Sequence, residues 1–246
     1  MILLAITLAF WSAGWIVLGR VRLCGRGESK QLVSAKQLSI IIPARSEEQN
    51  LPTLLRSITT QSVQPCEIIV VDDASTDRTA EVARQLGARV MSSQPLPDGW
   101  RGKTWACHQG AQSATGELLL FVDADTWFEP DGLARALSGY IRGAFSVGPY
   151  HSVRKPYEDL SLFFNFNMTV GTVPRGLFGQ MLLVDRESYR RVGGHETVKG
   201  RILENFWLAG QFRATGIPVR SVAGRGVLSF RIAWWDTVKF VVSVTI

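Results

Sequence analysis

Short apolar runs alternate with amphipathic segments through the first half of the chain. The runs LSIIIP, EIIVVDD, RVM and LLLFVD, between Leu38 and Asp123, are almost continuously apolar and predict strands buried on both faces. Between them, segments such as NLPTLLRSITTQ carry apolar residues at helical spacing and predict helices. This alternation predicts an α/β domain with a mainly parallel sheet flanked by helices.

Local signals set several element boundaries. Asn50 is the expected N-cap of the first helix, and Gly87 the glycine that ends the second. KTWACHQGAQSA predicts a third helix that opens at Lys103. In the second half, MLLVDRESYRRVGG predicts a strand, a short helix and a glycine turn, and LENFWLAGQFRATG predicts a helix closed by Gly216.

The pattern of the N-terminal segment predicts a membrane-spanning helix. The first nineteen residues contain no charged side chain, and as a helix they would reach roughly 28 Å, close to the thickness of a bilayer core. A cleaved signal peptide is the alternative, but no basic stretch precedes the apolar run. Basic residues follow it at once, namely Arg20, Arg22, Arg26 and Lys30. We therefore expect a cell-membrane protein in which the rest of the chain faces the cytoplasm.

These patterns divide the chain into four parts. Residues 1–20 are the expected transmembrane anchor, and the polar residues 21–37 a linker. Residues 38–231 form the expected soluble α/β domain. The segment 232–246 is rich in aromatic and apolar residues, which suits a membrane-interface segment or a truncated span.

Composition narrows the classes of partner. The chain has 46% hydrophobic and 20% charged residues, as globular proteins do, and a formal net charge of +6 that favours an anionic partner. Its basic residues are dispersed and no nucleic-acid-reading module is recognisable, so no nucleic-acid partner is expected. The three cysteines form no metal-binding spacing.

Charged residues follow the predicted strands at the points where they end. Because the carboxyl ends of parallel strands lie at one edge of a sheet, these residues are expected to converge there as a ligand site. The converging set comprises Arg45, Glu47, Asp72, Asp73, Asp77, Asp123 and Asp125, with Lys103 at the nearby helix start. Oxygen ligands such as Asp123 and Asp125 suit Mg²⁺ or Mn²⁺, which share substrate phosphate oxygens.

Two of these residues also have a purely structural interpretation. Asp77 is as well explained by the start of a helix, and Lys103 by a solvated surface. The segment GWRGKTW resembles a phosphate-binding loop, but that motif needs a glycine where Pro97 stands.

The ordered motifs resemble the inverting glycosyltransferases of family 2, which have the GT-A fold. The matching segments are SIIIPARSEE, EIIVVDDASTDRT, GKTWACHQGA, LLLFVDADTW and GGHETVKGRILENFWLA. The PLPDGWRGKTWAC and GRGVLSFR segments look most like a membrane-associated branch that includes carotenoid (diaponeurosporenoate) and hopanoid-associated enzymes.

The resemblance implies a pocket for a nucleotide diphosphate sugar, more often a UDP-sugar than a GDP-sugar. It assigns the pocket lining to Pro43, Arg45, Glu47, Asp73 and Lys103, with Asp73 near the base. It also implies that Asp123 approaches the ribose and that Asp125 holds the metal that bridges the diphosphate. Arg231 in LSFR is a further candidate for diphosphate contact.

The acceptor side departs from the family pattern. Family members use the aspartate of a Glu-Asp pair as the catalytic base, whereas this chain has Glu204-Asn205. An asparagine cannot accept the acceptor's proton at neutral pH. Three explanations stay open: Glu204 supplies the carboxylate, the acceptor is itself an ionised carboxylate, or the protein binds donor without efficient transfer. A structural role for Glu204 at the helix start is a further alternative.

Other features bear on the acceptor. The QxxRW signature of processive members is absent from the sequence, which favours transfer of a single sugar. The apolar side chains of DLSLFFNFNMTVG, at 159–171, suit either a cover over the acceptor site or a core helix. His195 suits an acceptor-side role or a structural one.

The sequence therefore predicts a membrane-anchored, metal-dependent transferase that moves a sugar to a lipid acceptor such as a carotenoid. Two other functions compete with it. A nucleotidyltransferase could use a similar fold, although no glycine-rich nucleotide loop follows the first strand. A membrane scaffold with a degenerate donor pocket would account for Asn205.

Overall fold

The computed structural model describes residues 37–153 and 159–231 (side chains 159–164 and 166 excepted), residues 21–24, and the single positions 7, 11, 12, 14 and 19. The predicted anchor and the C-terminal segment 232–246 therefore lie almost wholly outside the described residues. Within the described part of the chain, no helix combines the length and apolar character needed to cross a membrane.

Ten strands and seven α-helices make up the described fold. The strands are β1 (Leu38–Ala44), β2 (Glu67–Asp72), β3 (Arg89–Ser92), β4 (Leu118–Val122), β5 (Thr126–Phe128), β6 (Ala144–Gly148), β7 (Tyr150–His151), β8 (Met181–Asp185), β9 (Val219–Ala223) and β10 (Leu228–Phe230). The helices are α1 (Leu51–Thr59), α2 (Thr79–Gln85), α3 (Gly102–Ser113), α4 (Gly132–Gly139), α5 (Asp159–Thr172), α6 (Arg186–Arg191) and α7 (Glu204–Ala214), with a 3₁₀ helix at Gly194–Val198.

The main sheet has seven strands in the order β3-β2-β1-β4-β8-β6-β9. All neighbours pair in parallel except β8, which is antiparallel to both β4 and β6. The mainly parallel sheet predicted from sequence is therefore mixed at one strand. A second sheet, β5-β10-β7, was not predicted.

Two hydrophobic cores cover the two faces of the main sheet. Ile40 and Ile42 of β1 pack with apolar residues of α1, α2 and α4, whereas Ile41 faces residues of α3, α6 and α7. Successive side chains of a strand point to opposite faces. Burial on both faces is therefore why these strands read as continuous apolar runs rather than alternating ones.

The predicted helix ends are largely as observed. Gly87 and Gly216 follow α2 and α7 with positive φ angles of 82° and 75°, a conformation that suits glycine. Asn50 is the N-cap residue of α1, as predicted, but its side chain donates to Glu47 Oε2 at 2.8 Å and accepts from no helix amide.

Residues 21–24 belong to the sheet rather than to a free linker. Cys24 N donates to Ala223 O at 3.0 Å, and Ala223 N donates to Arg22 O at 2.8 Å, so this segment runs beside the edge strand β9. The predicted linker 21–37 therefore begins as a strand-like pairing, and residues 25–36 lie outside the described part of the chain.

Candidate functional site

Two neighbouring cavities open at the edge where the parallel strands end. The smaller has a volume of about 360 Å³ and is lined by the ends of β1 and β4, the residue after β2, and the start of α3. Its lining includes the predicted donor-site residues Pro43, Arg45, Glu47, Asp73, Lys103, Asp123 and Asp125. The larger, of about 1090 Å³, lies between the end of α5, the segment 173–180 and the start of α7. Lys103 and Asp123 line both cavities and mark their junction.

Lys103 connects the two cavities electrostatically. Its ammonium lies 2.7 Å from Asp123 Oδ1 and 3.5 Å from Glu204 Oε1, and it donates to the Gly179 carbonyl at 3.1 Å. Although desolvation acts to lower it, the carboxylates of Asp123 and then Glu204 raise the pKa of Lys103. The side chain is therefore a fixed positive charge between the strand end and α7.

The start of α3 is fixed against the segment that leads to α7. Thr104 Oγ1 donates to the Lys199 carbonyl at 2.8 Å, and Arg101 N donates to the same carbonyl at 3.0 Å. These bonds hold Lys103 within reach of Glu204, although the two residues are far apart in sequence. Sequence reasoning placed Lys103 at the diphosphate and missed its contact with Glu204.

Asp125 lies at the smaller cavity in an electronegative setting. Desolvation, followed by the charges of Asp123 and Glu47, raises the pKa of Asp125 to about 7, against the opposing effect of Lys103. The residue remains accessible to solvent. An accessible carboxylate crowded by other carboxylates fits a divalent cation, which would relieve the repulsion.

Protein groups alone do not enclose a metal. Within the described ranges, no group of three or more His, Cys, Asp or Glu side chains is arranged to hold one. Asp123 has both carboxylate oxygens on Lys103, at 2.7 and 2.9 Å, so Asp125 is the better-placed ligand of the pair. A small number of protein ligands is compatible with Mg²⁺ or Mn²⁺, because such sites often use one or two carboxylates together with phosphate oxygens and water.

Gly102, at the start of α3, and Asp73 both line the smaller cavity. Arg45 lies 3.8 Å from Asp73 across the opening. A Cβ on Gly102 would come within 2.3 Å of Asp73 Oδ2, so any other residue at this position would require the Asp73 side chain to shift. The sequence did not indicate this role for Gly102.

Two predicted carboxylates serve the backbone instead of the cavity. Asp72 Oδ1 accepts from Ser75 N at 3.2 Å in the loop after β2, and Asp72 is absent from the lining of the smaller cavity. Asp77 accepts from Thr79 N at 3.0 Å and from Glu48 N at 3.1 Å. The structural interpretation of Asp77 is thus the one its contacts support, and Asp72 holds the loop that carries Asp73.

Arg231 directly follows β10. In the second sheet, Phe230 pairs with Thr126 in an antiparallel register. Continued by one residue, this register would set Arg231, which is partly buried, opposite Asp125. Arg231 is absent from the lining of the smaller cavity, so its contact with a diphosphate stays a prediction.

Glu204 and Asn205 open α7 on the wall of the larger cavity. Both are buried. Asn205 Nδ2 donates to the Phe178 carbonyl at 2.9 Å, and its Oδ1 has no hydrogen-bond partner among the described residues. The asparagine thus lies in the wall of the larger cavity, which adjoins the smaller one at Lys103 and Asp123.

His195 belongs to the core. Tyr189 Oη lies 2.7 Å from His195 Nδ1 and also accepts from His195 N. Burial, with smaller effects from Lys103 and His108, lowers the pKa of His195 to about 3, so the ring is neutral. Of the two interpretations of His195, these contacts support the structural one.

The fold is shared by solved nucleotide-sugar transferases. A mannosyltransferase from Pyrobaculum calidifontis, solved with GDP-Man and Mn²⁺, matches 94% of this chain and 67% of its own, with a TM-score of 0.62 and 21% identity. Glucosyl-3-phosphoglycerate synthase from Mycobacterium tuberculosis was solved with Mn²⁺, UDP and phosphoglyceric acid. The match covers 89% of this chain and 81% of the synthase chain, with a TM-score of 0.58 and 19% identity. The architecture is therefore a GT-A-like α/β fold.

The sequence defines the family. The model of glycosyl transferase family 2 matches residues 39–172, just over half of the chain. This protein belongs to that family, as its motifs predicted.

Similar proteins include 4,4'-diaponeurosporenoate glycosyltransferases. The one from Staphylococcus haemolyticus (strain JCSC1435) is 36% identical, over 89% of this chain and 63% of its own length. The one from Staphylococcus aureus (strain USA300) is 38% identical, over 80% of this chain and 56% of its own length. The chain thus spans about 60% of the length of these relatives.

Proposed function

We propose that this chain is an inverting glycosyltransferase that moves one sugar from a nucleotide diphosphate sugar to the carboxylate end of a lipid acceptor. UDP-sugar is the first candidate donor. A polyisoprenoid or carotenoid acid is the candidate acceptor, and the cytoplasmic face of the cell membrane is the site of reaction. The proposal rests on one observation: Asn205 lines the cavity that joins the donor pocket at Lys103 and Asp123.

A carboxylate acceptor explains the missing base. A hydroxyl must lose a proton as it attacks the anomeric carbon, and that proton needs an acceptor. An ionised carboxylate has no such proton. The name of the staphylococcal relatives supports this choice, because diaponeurosporenoate is the anion of a carboxylic acid.

The reaction balances without a proton acceptor. A carboxylate oxygen of the lipid forms a bond to the anomeric carbon from the face opposite the diphosphate. The bond between that carbon and the β-phosphate oxygen breaks, and the nucleoside diphosphate leaves with the electron pair. The product is a glycosyl ester with inverted configuration at the anomeric carbon.

The described residues supply charge for this step. The smaller cavity offers Arg45 and Lys103 to the donor, and Arg231 is a further candidate for diphosphate contact. A Mg²⁺ or Mn²⁺ ion held by Asp125, with Asp123 beside it, would offset the charge that develops on the leaving diphosphate. The larger cavity, which has Leu203 and Phe206 on its wall, suits an apolar chain.

Paired acceptors provide the test. The full chain is assayed in detergent with Mn²⁺ and a panel of UDP- and GDP-sugars. Parallel reactions contain either a carotenoid acid or the matching carotenoid alcohol as the acceptor. We expect transfer to the acid only, with a product that mild alkali cleaves because it is an ester. Transfer to the alcohol alone would contradict the carboxylate assignment. Release of pyrophosphate would favour a nucleotidyltransferase, and donor binding without turnover would favour a scaffold.

A further inference from the structure

Large apolar side chains are exposed at the mouth of the larger cavity. Ile202, Leu203 and Phe206 have exposed fractions of 63%, 61% and 60%, and Trp207 has 45%. Met168 of α5, which lines the same cavity, is 59% exposed. Single exposed apolar residues are common on soluble proteins, but a group around one opening marks an interaction surface. We call these five residues the mouth surface.

The position of these residues on α7 explains why the core does not bury them. Leu208, Ala209 and Phe212 form the inward stripe of this helix and are buried. Leu203 and Phe206, by contrast, stand three residues apart on the outer side of its first turn, with Trp207 beside them. The start of the helix is therefore apolar on two sides. One side packs into the core, and the other is exposed and available to a partner.

Arginines border the mouth surface. The Arg201 guanidinium lies 4.4 Å from the centre of the Trp207 ring, a cation–π contact. Arg213 donates to the Arg175 carbonyl, and both of these exposed arginines line the cavity. Tryptophan beside arginine is the combination found at the headgroup level of membranes, and the positive charges complement anionic lipid.

The edge strand β9 ties this region to the N-terminal segment. Ser221 N donates to the Pro174 carbonyl at 3.2 Å, and Pro174 lines the larger cavity. Two residues later, Ala223 pairs with Arg22 and Cys24. The chain that leaves the predicted anchor at residues 1–20 is thus bonded to the same strand as the cavity wall.

We propose that the mouth surface lies in the interfacial layer of an anionic bilayer, so that a lipid acceptor enters the larger cavity without crossing water. The inference rests on the proposed function for the identity of the acceptor. The bilayer contact itself depends only on the exposed apolar residues, the arginine border and the β9 connection.

Site-specific fluorescence tests the location directly. In the full chain with Cys24→Ser and Cys66→Ser, a solvent-sensitive dye is attached to Trp207→Cys and, as a matched control, to Arg84→Cys. Arg84 is exposed on α2, which packs beside β3 at the opposite edge of the sheet from β9. Each protein is placed in nanodiscs of phosphatidylcholine and phosphatidylglycerol, with and without a nitroxide-labelled lipid.

We expect the dye at position 207 to shift to the blue and to lose at least half of its intensity to the nitroxide, while the dye at 84 does neither. Arg201→Glu should reduce the quenching at 207 several-fold at low salt. Equal quenching at the two positions, or none at 207, would overturn the inference. A blue shift at 207 that grows with protein concentration in detergent would also overturn it, because a second copy would then be the occupant.

The dye signal needs neither donor nor turnover. UDP-sugar binding and transfer are measured in the same samples, so the two proposals can fail separately. A quenched dye with no transfer would leave the membrane contact standing and would contradict the proposed function alone.

Discussion

The ammonium of Lys103 lies 2.7 Å from the carboxylate of Asp123. The same ammonium reaches Glu204 at 3.5 Å, so a single cation joins the end of β4 to the start of α7. The walls of the smaller and the larger cavity are therefore connected by one side chain.

Replacing this cation should disable the site. Lys103→Met leaves the Asp123 and Glu204 carboxylates without their shared partner and removes a positive charge from the donor pocket. We expect transfer to fall about 10²-fold or more, together with weaker UDP binding by calorimetry. Lys199→Met, which removes an exposed lysine nearby, should behave as the wild type. Similar losses in both variants would show that general charge, and not this contact, matters.

A second prediction concerns divalent metal at Asp125. Mn²⁺ with UDP should raise the melting temperature of the wild-type protein, because ligands that bind only the folded state stabilise it. Asp125→Asn should remove this increment, since the amide is a far weaker ligand for a hard cation. Glu117→Gln removes an exposed carboxylate and should retain the increment. A full increment in Asp125→Asn would assign the metal to other residues.

The pH dependence of the metal-free protein gives a third prediction. The pKa of Asp125 in the folded state is about 7, against an ordinary value of 3.8. The folded state therefore favours the protonated form, and this stabilisation is lost as the pH rises towards 7. With EDTA present, Asp125→Asn should gain stability relative to the wild type between about pH 4 and pH 7, and keep that gain at pH 8. Melting curves across this range, with Glu117→Gln as the control, provide the measurement, and a difference that shrinks as pH rises would contradict it.

The sequence was sufficient to predict which residues meet at the smaller cavity, because that information is local. Apolar runs followed by Asp73, Asp123 and Asp125 identify strand ends, and parallel strands bring such ends to one edge. The direction of β8 could not be read in this way, because MLLVD has the same apolar character in either orientation. The small second sheet could not be predicted either, because its short strands β5, β7 and β10 are far apart in sequence.

Long-range contacts account for what the sequence missed at the site. Lys103 and Glu204 meet because Thr104 and Arg101 bond to Lys199, an arrangement that no spacing encodes. Asp72 and Asp73 are adjacent in sequence, yet only Asp73 lines the smaller cavity. The loop geometry after β2 decides between them, and it depends on the bond from Ser75 to Asp72.

A fourth prediction uses the close approach of α3 to Asp73. Gly102→Ala would place a methyl group 2.3 Å from Asp73 Oδ2 and force that carboxylate to move. We expect UDP affinity to fall roughly tenfold, equivalent to about 1.4 kcal/mol. Gly210→Ala is the matched control, because its added methyl meets no atom within 4 Å and it lies inside α7. That variant should be stabilised by about 0.5–1 kcal/mol with unchanged UDP affinity. Equal UDP affinity in both variants would remove the role assigned to Gly102.

The last prediction separates the two candidate explanations for the acceptor chemistry. If Glu204 were the general base, Glu204→Gln would lower the turnover by about 10²- to 10⁴-fold. With an ionised acceptor no base is needed, so we expect Glu204→Gln to lower turnover on a carotenoid acid by less than about tenfold, through the lost contact with Lys103 alone. Asn205→Asp should add a base at the family position and allow transfer to the matching alcohol. Single-turnover rates with both acceptors measure these effects, and a large loss on the acid in Glu204→Gln would return the base to Glu204.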